Sequence, residues 1–180
     1  NLDLNITEFG SGTGSLIEQI KTKNKFAVEK SSTARTELSQ KNIQNASNLE
    51  ELTFKNSDLV FGNEVLDNIP CSIAVYKDGK WQEKIVCFND GIFSYDFVEA
   101  RTKTVEWIEW NRIKADENID VEIQTNIDIF LEKIISKLSP KNILFFDYGY
   151  EQKDRSKRKY RSLLRTCLLY TSDAADDETS

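Results

Sequence analysis

The sequence contains no histidine among its 180 residues. That absence removes Ser-His-Asp and Cys-His nucleophilic machinery, together with the commonest metal ligand. Its three cysteines, Cys71, Cys87 and Cys167, are an odd number without paired spacing. Neither a disulfide framework nor a zinc site is indicated, and the thiols are expected to be reduced. No apolar run approaches the ~20 residues that a spanning helix needs, and no basic, apolar, small-residue leader opens the chain, so a soluble, cytoplasmic protein without membrane insertion is the expectation. Methionine is missing too. Without an initiator the chain opens directly in an alternating run, Leu2, Leu4, Ile6, and a start cut from a longer protein is expected.

Hydrophobic residues make up 39% and charged residues 30%, inside the globular range. The length suits one ordinary domain. The net charge of -6 conceals a split that leaves overall acidity uninformative about partners: residues 153–165 hold seven basic side chains against one Asp, and the last eight residues hold four acids. Residues 167–176 resemble the translation of a transposon-derived sequencing adapter. On that reading 167–180 carry no biology, the alternative being a helical turn with an acidic tail.

Residues 2–9 alternate apolar and polar, Gly10, Gly12 and Gly14 interrupt them, and Leu16, Ile17 and Ile20 resume at helical spacing: strand, loop, helix. A short strand at 25–29 precedes Ser31, a plausible N-cap for a helix reaching about Ile43. Leu59-Val60-Phe61 reads as a buried strand, residues 126–138 as an amphipathic helix stopped by Pro140, and 142–146 as a last buried strand. Strands alternating with helices predict an α/β fold with a parallel sheet covered on both faces. Between them, 72–76, 81–88, 92–95 and 104–110 read as strands of a β-rich insertion at about 71–118, with Asp78-Gly79 and Asp90-Gly91 as hairpin turns. The core with its insertion is expected over 1–150, as one domain, followed by a basic segment at 151–166.

A glycine loop between strand and helix turns backbone N–H groups toward a ligand at the positive end of the helix dipole, which suits nucleotide-like cofactors. Here the glycines are spaced two apart with Glu8 in front, unlike the G-x-G-x-x-G dinucleotide fingerprint. The arrangement resembles the E/D-x-G-x-G-x-G loop of S-adenosylmethionine methyltransferases, a ligand-free glycine turn being the alternative. Glu29 ends the second strand, nineteen residues after Gly10, where an acid can accept hydrogen bonds from ribose hydroxyls.

The stretch Gly62-Asn63-Glu64-Val65-Leu66-Asp67-Asn68-Ile69-Pro70 closely resembles the N-E-x-x-D-A-L-P signature of the MidA-type methyltransferases, the family of the mitochondrial complex I assembly factor that methylates an arginine. Glu8 to Leu16 is similar to that family's E-L-G-P-G-x-G-x-L loop, and Val28-Glu29-Lys30-Ser31 to its V-E-x-S step. Phe146-Asp147-Tyr148-Gly149-Tyr150 resembles its I-D-Y-G-Y/H strand end, and Gly79-Lys80-Trp81-Gln82-Glu83 its G-W-x-E run. Order and spacing agree from Leu4 to Tyr150. Ser11 replaces the usual Pro, Asn68-Ile69 replaces Ala-Leu, and the family's N-terminal helical region and final strands have no counterpart here.

The resemblance implies a Rossmann-like class I methyltransferase fold, incomplete at its last strands, and S-adenosylmethionine as cofactor. Glu8, Gly10, Gly12, Thr13, Gly14 and Glu29 are the expected cofactor residues. Glu64, then Asp67, are the expected acceptor-orienting carboxylates, because a guanidinium pairs bidentately with a carboxylate. Asn63 is a third candidate and Asp147 an edge-shaping residue. Helix capping is the alternative role for Glu64 and Asp67. Tyr148 and Tyr150 either wall the acceptor pocket or pack, and Trp107 and Trp110 are expected to pack the insertion. No metal site is implied. The resemblance implies a protein substrate, arginine methylation and a bacterial setting. The basic run at 153–165 keeps RNA as an alternative acceptor, a small molecule is another, and a non-catalytic cofactor-binding assembly factor is a third reading.

Overall fold

The computed structural model describes residues 2–148; the basic run at 153–165, the segment 167–180, Tyr150 and Cys167 lie outside them. In chain order the elements are β1 (Leu2–Phe9), α1 (Ser15–Gln19), β2 (Thr22–Val28), α2 (Ser32–Gln40), β3 (Gln44–Ala46), β4 (Leu59–Asn63), β5 (Ser72–Lys77), β6 (Lys80–Asn89), β7 (Ile92–Glu99), α3 (Thr102–Trp110), β8 (Asp120–Ile123), α4 (Thr125–Leu138) and β9 (Asn142–Phe146). They fall into two compact units, whose described parts are residues 2–71 with 124–148, and residues 72–123.

The first unit is a parallel sheet in the order β3-β2-β1-β4-β9. Alternation along β1 explains its two covered faces. Ile6 joins Ile17, Leu38 and Phe61 beneath α1 and α2, while Phe9 joins Val60, Ile134 and Leu138 beneath α4. Full burial of a side chain such as Ile134 or Leu138 contributes about 2–3 kcal/mol, so α4 is held by its apolar stripe rather than by propensity. Ser31 caps α2 as expected, its Oγ accepting from Ala34 N at 3.3 Å. The strand order reverses at β1, which has β2 on one side and β4 on the other. Such a switch point opens a crevice outside the carboxyl ends of the strands.

The second unit is an antiparallel sheet in the order β7-β6-β5-β8. Its core gathers Ala74, Ile108, Val121 and Ile123, with Trp81, Trp107 and Ile113 packed against them. The strand expected at 104–110 is instead most of helix α3. Thr104 and Ile108, four residues apart, are buried on one face and Trp107 packs against the core, while Trp110, expected to pack, falls on the outer face of the helix and is 88% exposed. No local side chain caps α3. Glu83 of β6 does so from a distance, accepting from Arg101 N and Nε at 3.0 Å and from the Thr104 hydroxyl, a negative charge at a helix N-terminus.

Gly14 joins the glycine loop to α1 at φ 83, and a Cβ there would lie 2.6 Å from Leu38 Cδ2 and 3.3 Å from Ile43 Cδ1. Gly79, at φ 77, has open space around the same position. Gly14→Ala is expected to lose about 2–4 kcal/mol, strain plus overpacking, against about 1 kcal/mol of strain for Gly79→Ala. Urea denaturation of the two variants tests this, and equal losses would show that the close packing of Gly14 contributes nothing.

Candidate functional site

Gly10, Gly12 and Gly14 all adopt positive φ, at 63, 51 and 83, so the chain leaving β1 coils tightly before α1 begins. Gly10 N donates to Val28 O at 2.9 Å and Gly14 N to Ser11 O at 2.8 Å. The Glu29 carboxylate closes the loop. Its Oε2 accepts from Gly12 N and its Oε1 from Ser31 N, both at 2.8 Å, joining the loop to the end of β2 and the start of α2. Arg35 Nη1 donates to Glu29 O and Lys30 O at 2.7 Å, which fixes the backbone of that corner.

Glu8 lies beneath the loop. Only 3% exposed, it accepts from the Ile17 amide, and burial, with a further contribution from the Glu29 charge, pushes its carboxyl up to about 7. Its Oε2 and the hydroxyl of Ser11 are buried without a hydrogen-bond partner in the described residues. Two orphaned polar atoms under one loop are a feature that buried groups normally avoid.

A crevice of about 630 Å³ opens at the switch point, a volume suited to a small-molecule cofactor. Phe9, Gly10, Val28 and Glu29 line it from the ends of β1 and β2. Ser47 and Asn48 follow β3 into it, Glu64 and Val65 follow β4, and Phe130 and Lys133 reach it from α4. Asn48 is held by its own network, its Oδ1 accepting from Glu51 N at 3.1 Å and its Nδ2 donating to Glu51 Oε1 at 2.8 Å. Of the expected cofactor residues Gly10 and Glu29 line the crevice, Gly12 donates to Glu29 without lining it, and Glu8, Thr13 and Gly14 lie outside the lining.

Sequence reasoning did not reach Ser47, Asn48, Phe130 or Lys133. The first two follow a three-residue strand, Gln44–Ala46, too short to show a period. The last two lie on α4, whose apolar pattern announces a core face and nothing more.

Glu64, like Glu29, lines the crevice, and it stands at φ 51. A non-glycine residue there costs about 1 kcal/mol or more and persists where surroundings over-determine it. Its N donates to Phe146 O at 2.8 Å. Asn63 and Asp67 are exposed and lie outside the crevice lining. Asp67 instead accepts from Tyr148 Oη at 3.2 Å and from Asn68 Nδ2 at 2.7 Å, so the structure joins it to Tyr148 rather than to the cavity. Among the described residues no three His, Cys, Asp or Glu side chains are grouped to hold a metal, and no helix is long and apolar enough to cross a membrane.

The sequence model of the family described as "Putative S-adenosyl-L-methionine-dependent methyltransferase" matches residues 1–176. In structure the chain is similar to a COG1565 superfamily member from Burkholderia thailandensis bound to S-adenosyl-homocysteine. That match has a TM-score of 0.67 and 23% identity, over 82% of this chain and 42% of the other. A native crystal structure of a COG1565 superfamily protein from the same organism matches with a TM-score of 0.67 and 22% identity, over 84% of this chain and 45% of the other. The likeness bears out the Rossmann-like α/β fold with its additional antiparallel sheet, and the chain spans less than half the length of either protein. No curated protein sequence matches it.

An acid whose folded value lies above its unfolded value keeps its proton longer in the folded chain, so its burial costs nothing at low pH and progressively more as pH rises. For Glu8 the window runs from its ordinary 4.5 to about 7. Glu8→Gln keeps an acceptor for the Ile17 amide and has no charge to bury. Relative to the parent chain it should gain about 2 kcal/mol between pH 5 and pH 8, read from urea midpoints at both values. A difference independent of pH would mean that Glu8 titrates normally.

Proposed function

The chain belongs to the S-adenosyl-L-methionine-dependent methyltransferase family whose model it matches, and from that premise we propose that its crevice binds S-adenosylmethionine and that the protein methylates an arginine guanidinium of a protein acceptor. The observation that carries the reading is Glu64, a carboxylate held in a strained backbone conformation in the crevice that Gly10 and Glu29 also line. Such strain is a reason to look for function. The residues around the crevice suit the cofactor: Glu29 stands where two ribose hydroxyls can donate to it, and the Ser11 hydroxyl and Glu8 Oε2, outside the crevice lining, are polar groups without a hydrogen-bond partner among the described residues.

S-adenosylmethionine, when bound, supplies an electrophilic methyl group on a positively charged sulfur. The chain's own part is positioning, since an in-line displacement gains most from a near-attack geometry. Glu64 accepts from the planar guanidinium fork, offsets its charge and aims one nitrogen, then holds the proton released on methylation. The finer identity supported by the quoted motifs is a MidA-type enzyme of a bacterial cytoplasm that serves assembly of a respiratory-type complex.

Incubation with methyl-labelled S-adenosylmethionine and arginine-containing proteins should place label in protein, recovered as methylarginine after acid hydrolysis. Glu64→Gln should lower turnover about 100-fold or more while leaving the affinity for S-adenosylhomocysteine within about threefold. Label recovered only in RNA or only in small molecules would replace the acceptor class, and undiminished transfer by Glu64→Gln would remove Glu64 from the reaction.

A further inference from the structure

Glu64, exposed and at φ 51, is tied down from outside its own strand. The ties come from the end of β9, some eighty residues later in the chain. Phe146 O accepts from Glu64 N at 2.8 Å. Next along, Asp147 Oδ2 accepts from both Leu66 N, at 2.9 Å, and Asp67 N, at 3.1 Å. These amides open the short 3-10 turn Leu66–Asn68, whose first donors have no partner within the turn itself. Asp147 Oδ1 accepts from Tyr148 N at 2.9 Å, so both carboxylate oxygens are engaged. Tyr148 Oη in turn donates to Asp67 Oδ2 at 3.2 Å, and Asn68 Nδ2 reaches back to Glu64 O at 3.1 Å. Partial burial, then the charges of Asp67, Asp147 and Glu64, raise the Tyr148 phenol above its ordinary range and keep it a donor.

Residues 64–68 are therefore gripped at the peptide on each side of Glu64 and at the turn that follows. Three consecutive residues of β9 and its extension, Phe146, Asp147 and Tyr148, each make a bond to residues 64–67. We propose that Asp147 is a positioning residue that acts through Glu64, fixing the direction in which the Glu64 carboxylate meets the acceptor, with Tyr148 as a second tie. The proposal rests on the methyl-transfer reading of Glu64. Asp147 touches neither cofactor nor acceptor in this scheme. Its loss leaves the glycine loop and Glu29 in place and lets the Glu64 turn relax.

A double-mutant cycle on the full chain tests it, with transfer from labelled S-adenosylmethionine to an arginine-containing peptide as the readout. Asp147→Ala should lower kcat about tenfold or more, with S-adenosylhomocysteine affinity within about twofold. Asp147→Asn, whose amide oxygen can still accept from Leu66 and Asp67 while its NH2 cannot serve Tyr148 N, should recover a large part of the loss. Tyr148→Phe should cost about threefold. In the Glu64→Gln background, Asp147→Ala should cost less than about twofold more, because it has nothing left to aim. Additive losses, or full activity of Asp147→Ala beside a crippled Glu64→Gln, would overturn the positioning role and leave the methyl-transfer reading intact. A parent chain that binds S-adenosylhomocysteine but transfers no methyl group, or Glu64→Gln with full activity, would overturn both.

Discussion

The two hydrogen bonds that Glu29 accepts from Gly12 N and Ser31 N are the constraint on which the candidate site depends. A loop with three residues at positive φ has many conformations open to it, and glycine makes each of them cheap. One carboxylate at the end of β2 selects among them, because its two oxygens are satisfied only when the loop after β1 and the turn into α2 are both in place. The same group stands on the crevice wall, so the residue that shapes the loop is also one that meets whatever enters.

Carboxylates reaching across the sequence recur through the fold. Glu8 accepts from the Ile17 amide of α1, Glu83 from the start of α3, and Asp147 from the turn after β4. In each case a helix or turn that lacks a cap of its own begins where a strand brings an acid to it, satisfying donors that would otherwise be orphaned. The arrangement places the starts of these elements by tertiary contact instead of by local sequence. It also concentrates negative charge near the carboxyl ends of the parallel strands, where Glu29 and Glu64 line the crevice and Asp67 and Asp147 lie beside it.

That device explains what could and could not be read from the residues alone. β1, β4, β9, α2 and α4 announce themselves by alternation, by apolar runs, by the Ser31 cap and by the stop at Pro140. The glycine spacing and the acid at Glu29 pointed to the end of the sheet where the crevice lies. α3 was hidden, since its cap is Glu83, eighteen residues back, and since Glu106-Trp107-Ile108-Glu109-Trp110 fits a strand as well as a helix when only two faces are considered. β3 and β8, of three and four residues, carry too little pattern to be seen. Asp67, an obvious candidate beside Glu64, turned out to face Tyr148, because a 3-10 turn intervenes and directs the two acids to different neighbours.

We propose that a sulfonium nucleoside binds at the glycine loop with Glu29 as its anchor. Isothermal titration of the chain with S-adenosylhomocysteine, beside a parallel titration with NADH, tests it most directly. The account predicts saturable heat with S-adenosylhomocysteine, none with NADH, and affinity at least about tenfold weaker in Glu29→Ala, the expected loss for a charge-assisted pair of hydrogen bonds. Equal binding of both nucleotides, or undiminished affinity in Glu29→Ala, would contradict it.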